Sequence, residues 1–126
     1  MSEIVIVAAA RTAQGRLQGA LSCFSAPQLG SAAIAGALER GGVEPAAVDA
    51  VVMGQVLPAG SGQNPARQAA LGAGIGWVTP AHSVNKVCLS GLTAVIDAAR
   101  MIASGDAEVV VAGGMEIGRA SCRERV

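Results

Sequence analysis

Hydrophobic positions along this chain fall into short unbroken runs and longer stripes of helical spacing, and the two alternate. Ile4-Val5-Ile6-Val7, with the alanines that follow, is continuous rather than alternating. That pattern predicts a strand covered on both faces, as in a parallel sheet. Residues 11–19 are polar and punctuated by glycine, and read as a loop. Ser25-Ala26-Pro27-Gln28 has the composition of a helix start: Ser25 as N-cap, Gln28 as its capping-box partner and Pro27 in the first turn. Leu29, Ala33, Ile34, Ala37 and Leu38 then form a stripe predicted to be buried. Arg40 falls in the last turn, and Gly41-Gly42 ends the helix. Residues 44–48 suit one further helical turn, and Val51-Val52-Met53 is the next apolar strand. After a Pro- and Gly-bearing loop over residues 57–63, Asn64-Pro65 is a second N-cap followed by proline at the first helical position. That helix runs over residues 66–71 and breaks at Gly72, Gly74 and Gly76. Residues 80–84 form a third strand. Leu92, Val95, Ile96, Ala99 and Ile102 mark the apolar face of a third helix, which closes at Ser104-Gly105. Val109-Val110-Val111-Ala112 is a fourth strand, ended by Gly113-Gly114.

The order β-α-β-α-β-α-β with short connections predicts an α/β fold, a mostly parallel sheet with helices on both faces and right-handed crossovers. Ligands of such sheets sit at the carboxyl ends of the strands. Cys88 lies there, where the third strand gives way to the third helix. A thiol at a helix start faces unpaired backbone N–H groups and the positive end of the helix dipole, both of which favour the nucleophilic thiolate. The competing reading of Cys88 is a small buried apolar residue.

Composition narrows the classes. The chain has 126 residues, enough for one modest core. It is 52% hydrophobic but only 2% aromatic, so the core must be built from closely packed Ala, Val, Leu and Ile. Formal net charge is zero and no basic run is present, which argues against nucleic acid and anionic membranes as partners. No apolar run is long enough to span a bilayer. The cysteines Cys23, Cys88 and Cys122 have no metal-ligand spacing, and His82 is the sole histidine, so no metal site is expected. With no presequence apparent, the expectation is a reducing cytoplasm and free thiols.

Other side chains have a chemical reading beside a plainer one. His82, six residues before Cys88, is a potential base, but a locally bonded or exposed strand histidine is the preferred reading. Cys23 precedes a helix cap and suits loop or core packing better than reactivity. Lys86 serves either to attract an anionic substrate or as a surface charge. Arg67 suits phosphate binding less well than an ion pair or subunit contact. Ser90 and Gly91 suit close packing at the helix start. Gly72-Ala73-Gly74-Ile75-Gly76 imitates a dinucleotide loop, but it neither follows a strand directly nor opens a helix.

Four blocks resemble one family. Asn85-Lys86-Val87-Cys88-Leu89-Ser90-Gly91-Leu92 is similar to the nucleophile segment of thiolases, the acetyl-CoA acetyltransferases. Ile4-Val5-Ile6-Val7-Ala8-Ala9-Ala10-Arg11-Thr12 resembles their first strand and loop. Gly54-Gln55-Val56 with Gly62-Gln63-Asn64-Pro65-Ala66-Arg67-Gln68 resembles their next block, and Val111-Ala112-Gly113-Gly114-Met115-Glu116 the strand end after the nucleophile helix. The resemblance covers residues 3–116 in order. It implies a fold of two similar halves packed into five layers, of which residues 1–116 are most of the first. It implies a ping-pong acyl transfer through a Cys88 thioester, with CoA and acyl-CoA as substrates, no separate cofactor, and a homo-oligomer (dimer or tetramer) for the full-length protein. The Cys88 N–H would form part of an oxyanion hole.

The family's Gly-His-Pro histidine, its Cys-x-Gly second cysteine and its Asn-Glu-Ala-Phe segment do not occur in this sequence. Cys122 lacks the Cys-x-Gly context. Residues 117–126 are Arg-rich without apolar period and read as an unstructured or non-native tail; without them, residues 1–116 carry a net charge of −2. The 126-residue chain is therefore expected to be an inactive fragment of a thiolase. Alternatives are a non-catalytic dimerisation fragment and a ketoacyl-synthase-type condensing enzyme.

Overall fold

The apolar run Ala50–Gly54, with β-branched Val51 and Val52 at its centre, forms β1, the central strand, and all five of its residues are buried. The computed structural model of the chain describes residues 3–117. β1 pairs in parallel with β2 (Ala81–Val84), Val51 opposite Ala81, and with β3 (Val110–Gly114), Ala50 opposite Val110. The sheet order is β2-β1-β3. α1 (Ala26–Gly41) precedes β1, α2 (Pro65–Gly72) joins β1 to β2, and α3 (Ser90–Ala103) joins β2 to β3.

The helix ends follow local chemistry. Ser25 and Gln28 make the reciprocal capping box, and Gly42, at φ 61°, closes α1 in the left-handed conformation. The Asn64 side chain caps α2 by accepting from the Arg67 N–H. Residues 45–47 form the anticipated single turn, which is 3₁₀. α1 and α2 pack on one another, and their shared core comprises Ile34, Leu38, Ala66, Ala69 and Ala70 with Val51, Met53, Ile75 and Met115. Successive strand residues point to opposite faces. A Cβ on Gly30 of α1 would meet the Met53 methyl, whereas one on Gly54 would meet Ser90 of α3, so α1 and α3 cover opposite faces of the sheet.

Two expectations are revised. Residues 3–16 carry no turn or bend but do not join the sheet as a first strand; three of the four expected strands pair. Ala8 and Ala10 instead lean on Gly41 and Gly36 of α1, and Arg40 Nη1 donates to the Ala9 carbonyl at 3.0 Å. In α3, the face against the sheet is Ser90, Ala94 and Ala98, while Leu92 (57% exposed), Val95 and Ile96 face outward. The helix start presses so closely on the strand ends that only small side chains fit between them. The expected tail over residues 117–126, apart from Ile117, and Cys122 lie outside the described residues.

Candidate active site

Three glycines bring the start of α3 onto the sheet. A Cβ at Gly54, the last residue of β1, would stand 2.5 Å from the Ser90 carbonyl carbon. One at Gly114, the last residue of β3, would stand 3.2 Å from the Gly91 Cα, and one at Gly91 would stand 3.6 Å from the Gly114 Cα. Backbone therefore touches backbone where the ends of β1 and β3 meet the first turn of α3. Cys88 sits at this junction, on the carboxyl side of the sheet, as strand order predicts.

The turn that carries Cys88 is strained and clasped. Val87 has φ 51°, in the left-handed region that a β-branched residue rarely occupies. Neighbouring hydrogen bonds hold it there. The Val87 N–H donates to Asn85 Oδ1 at 3.0 Å, and the Ser90 hydroxyl donates to the Val87 carbonyl at 2.6 Å while accepting from the Lys86 N–H at 2.8 Å. Asn85 also reaches across to the chain leaving β1, its Nδ2 donating to the Val56 carbonyl at 3.1 Å. Ser90 and Gly91 thus act in packing and positioning. The outcome is a tight elbow that leaves Cys88 exposed as a free thiol, which excludes the buried-residue reading.

A pocket of about 410 Å³ opens beside Cys88, walled by Gln55 and Val56 from the β1 exit and by Met115 and Glu116 from the β3 exit. The Glu116 carboxylate ties these walls together: Oε2 accepts from the Val56 and Leu57 N–H groups at 2.8 and 3.1 Å. Gln55 lies almost fully buried, its Nε2 donating to Ser61 Oγ and the Leu57 carbonyl, while its Oε1 has no partner among the described residues. The α3 N-terminus differs from the other two: its N-cap is Leu89, which provides no side-chain acceptor. Among the described residues the Gly91 and Leu92 N–H groups have no hydrogen-bond partner, so they remain available to an oxygen or anion.

The remaining candidates separate from this site. His82 is exposed in mid-β2, and neither it nor Lys86 lines the Cys88 pocket. Cys23 is exposed in the turns before α1. Arg67 has neither a phosphate role visible in its contacts nor an ion pair among the described residues. It donates to the Thr79 carbonyl at 2.6 Å and the Gly76 carbonyl at 3.4 Å, and its guanidinium stacks 5.8 Å from the Trp77 ring centre, bracing the loop into β2. Residues 72–76 end α2 and turn toward β2, with no helix opening after them. No group of three or more His, Cys, Asp or Glu that could hold a metal ion occurs among the described residues, and none of their helices is long and apolar enough to cross a membrane. Sequence reasoning missed the Glu116 clasp and the left-handed Val87. The first joins residues 60 apart; the second occurs at a residue type that disfavours it.

Comparison with known proteins fits this geometry. The family described as Thiolase, N-terminal domain, matches residues 4–122. An acetyl-CoA acetyltransferase of Cupriavidus necator is 60% identical over 116 residues, covering 92% of this chain and 30% of that protein. An acetyl-CoA acetyltransferase of Pseudomonas aeruginosa is 56% identical and a probable acetyl-CoA acetyltransferase of Mycobacterium tuberculosis 55%, each over 116 residues, covering 92% of this chain and 30% of those proteins. The chain thus spans about 30% of the length of the curated relatives it matches. On the family match over residues 4–122 and these identities, the chain belongs to the thiolase family, over its N-terminal domain.

Proposed function

We propose that this chain carries the acyl-accepting half of a thiolase-type acyl-CoA C-acyltransferase, with Cys88 as nucleophile. The observation that carries the reading is the elbow: an exposed cysteine on a strained turn, directly before a helix start with free N–H groups, beside a pocket at the strand ends. The names of the relatives supply the substrate class, acetyl-CoA. In the cleavage direction the Cys88 sulfur attacks the keto carbon of a 3-ketoacyl-CoA. The bond between that carbon and C2 breaks, C2 takes a proton, and acetyl-CoA leaves. The acyl group stays on Cys88 as a thioester. The thiolate of free CoA then attacks that thioester and restores the cysteine. The Cys88 N–H, at the elbow, would face the oxygen that becomes negative.

Among the described residues no histidine lines the Cys88 pocket, and its one carboxylate, Glu116, is engaged by the Val56 and Leu57 N–H groups. The activation of Cys88 and the C2 proton would come from the remainder of a full-length protein, as the family's Gly-His-Pro and Cys-x-Gly segments imply. The outward apolar face of α3 at Leu92, Val95 and Ile96 suits contact with such a second half. We therefore expect the 126-residue chain alone to show no measurable thiolysis. A chimera joining residues 1–116 to the rest of the Cupriavidus necator relative should cleave acetoacetyl-CoA. Turnover by the chain alone, or an inactive chimera with native folding, would refute the reading.

A further inference from the structure

Of the nine Lys and Arg residues in this chain, Lys86 is the sole lysine. It stands two residues before Cys88, and its side chain has no part in the chemistry above. Among the described residues that side chain enters no hydrogen bond and no ion pair, and Lys86 lines no part of the Cys88 pocket.

The Lys86 backbone, by contrast, is held on both sides. Its N–H donates to Ser90 Oγ at 2.8 Å, and its carbonyl accepts from the Leu89 N–H at 3.1 Å. The second bond closes a four-residue turn with Lys86 in first place and Cys88 in third. Val87, between them, has the positive φ of 51° that a primed turn requires at its second position. Two trans peptide links limit the separation of the Lys86 and Cys88 Cα atoms to about 7.6 Å, and a turn shortens it. Both residues are exposed. A flexible four-carbon stem ending in an amine spans such a gap. One clasped turn therefore presents a free thiol and an unpaired amine to the same solvent.

We infer that Lys86 is an acyl acceptor for Cys88: an acyl group that reaches the sulfur passes to the lysine and stays there as an amide. The inference rests on the proposed reading only in that Cys88 becomes a thioester. First, the Cys88 thiolate attacks the carbonyl carbon of acetyl-CoA, the thioester that the relatives' names supply. The bond from that carbon to the CoA sulfur breaks, and the CoA thiolate takes up a proton. The neutral Lys86 amine then attacks the carbonyl carbon of the Cys88 thioester. The bond from that carbon to Sγ breaks, and a proton of the amine passes to the sulfur. The products are CoA, a restored Cys88 thiol and Nε-acetyl-Lys86, and no further reactant is needed.

Arginine at this position could not take the group, because its guanidinium keeps its proton. Holding the amine and the thioester in one turn replaces a bimolecular encounter by a unimolecular step. Acetylation removes the lysine's charge beside Cys88. Free CoA competes with Lys86 for the same thioester, so the modification belongs to conditions in which acetyl-CoA is plentiful and CoA scarce.

The test incubates the 126-residue chain with excess acetyl-CoA and no added CoA in mildly alkaline buffer, followed over time by acid-quenched peptide mass spectrometry. Hydroxylamine cleaves a thioester and spares an amide. A labile acetyl group should appear first on Cys88 and give way to a stable one on Lys86. Acetylation of Lys86 should be slower by about tenfold or more in Cys88→Ala. In Lys86→Arg, which keeps the charge without the nucleophile, the Cys88 thioester should last about tenfold longer or more. Cys23→Ala should change neither rate. Equal acetylation of Lys86 in the wild type and Cys88→Ala would overturn the inference, since the lysine would then react with acetyl-CoA directly. A Cys88 thioester that lasts as long in the wild type as in Lys86→Arg would also overturn it, while leaving Cys88 as the acyl-accepting group. Acetyl on neither residue, or on Cys23 alone, would overturn the inference and count against the acyl role of Cys88 as well.

Discussion

Gly54 and Ser90 meet through backbone alone: a methyl group on Gly54 would stand 2.5 Å from the Ser90 carbonyl carbon. Neither atom set can yield, because one belongs to the end of the central strand and the other to the first turn of α3. Gly54→Ala should therefore destabilise the chain by about 2 kcal/mol, the cost typical of overpacking a close contact. Gly76→Ala, where an added Cβ meets nothing within 4 Å, is the control and should change denaturation midpoints little. Equal effects from the two substitutions would deny that the glycine contact sets the helix position.

Val87 should be replaceable with profit. Asn tolerates the left-handed conformation that Val87 holds at φ 51°, so Val87→Asn should raise unfolding free energy by about 1 kcal/mol in urea titrations. A loss of stability would mean that the Val87 side chain itself contributes more than its backbone costs.

Asp49 gives the fold a pH dependence. The Val109 N–H, and after it the Glu108 N–H, bonds its carboxylate and holds its pKa below the ordinary value of 3.8. A carboxylate depressed by folding contributes stability that is complete above its unfolded value and is lost as pH falls through the folded value. Between about pH 5 and pH 3, wild-type stability should thus fall more steeply than that of Asp49→Asn. Parallel pH profiles would show that the clasp between the starts of β1 and β3 carries no linkage.

Glu116 joins the two exits that wall the Cys88 pocket. Glu116→Ala removes the acceptor of the Val56 and Leu57 N–H groups, and both should exchange faster, with a stability loss of about 1 kcal/mol. Unaltered exchange at Val56 would place the order of that loop elsewhere, for instance in the Asn85 bond to the Val56 carbonyl.

Much of this was legible in the residues because it is local. The Ser25 capping box, the Gly42 stop and the Asn64 cap need only neighbours within one helical turn. The placement of Cys88 at a strand-to-helix junction was legible for the same reason, and strand order put that junction at the ligand end of the sheet. What escaped was set by distant partners. The apolar stripe of α3 exists as its spacing predicts, but the close approach at Gly54 and Gly114 admits only Ser90, Ala94 and Ala98 against the sheet, so Leu92 and Ile96 face out. Residues 4–10 have a strand's composition and a strand's extension, but pairing requires an edge, and none meets them among the described residues. Periodicity shows which residues are apolar; it does not show which surface receives them.

The central claim is that Cys88, rather than Cys23, receives the acyl group. At α1 the first-turn amide of Gln28 is already bonded to the Ser25 hydroxyl, while at α3 the Gly91 and Leu92 amides are free beside the Cys88 elbow. The direct measurement is peptide mass spectrometry of the chimera described above, quenched with acid after brief exposure to acetyl-CoA without free CoA. The account predicts a hydroxylamine-labile acetyl group on the peptide containing Cys88, absent from Cys88→Ala and discharged by added CoA. Acetylation of Cys23, or turnover that survives Cys88→Ala, would contradict it.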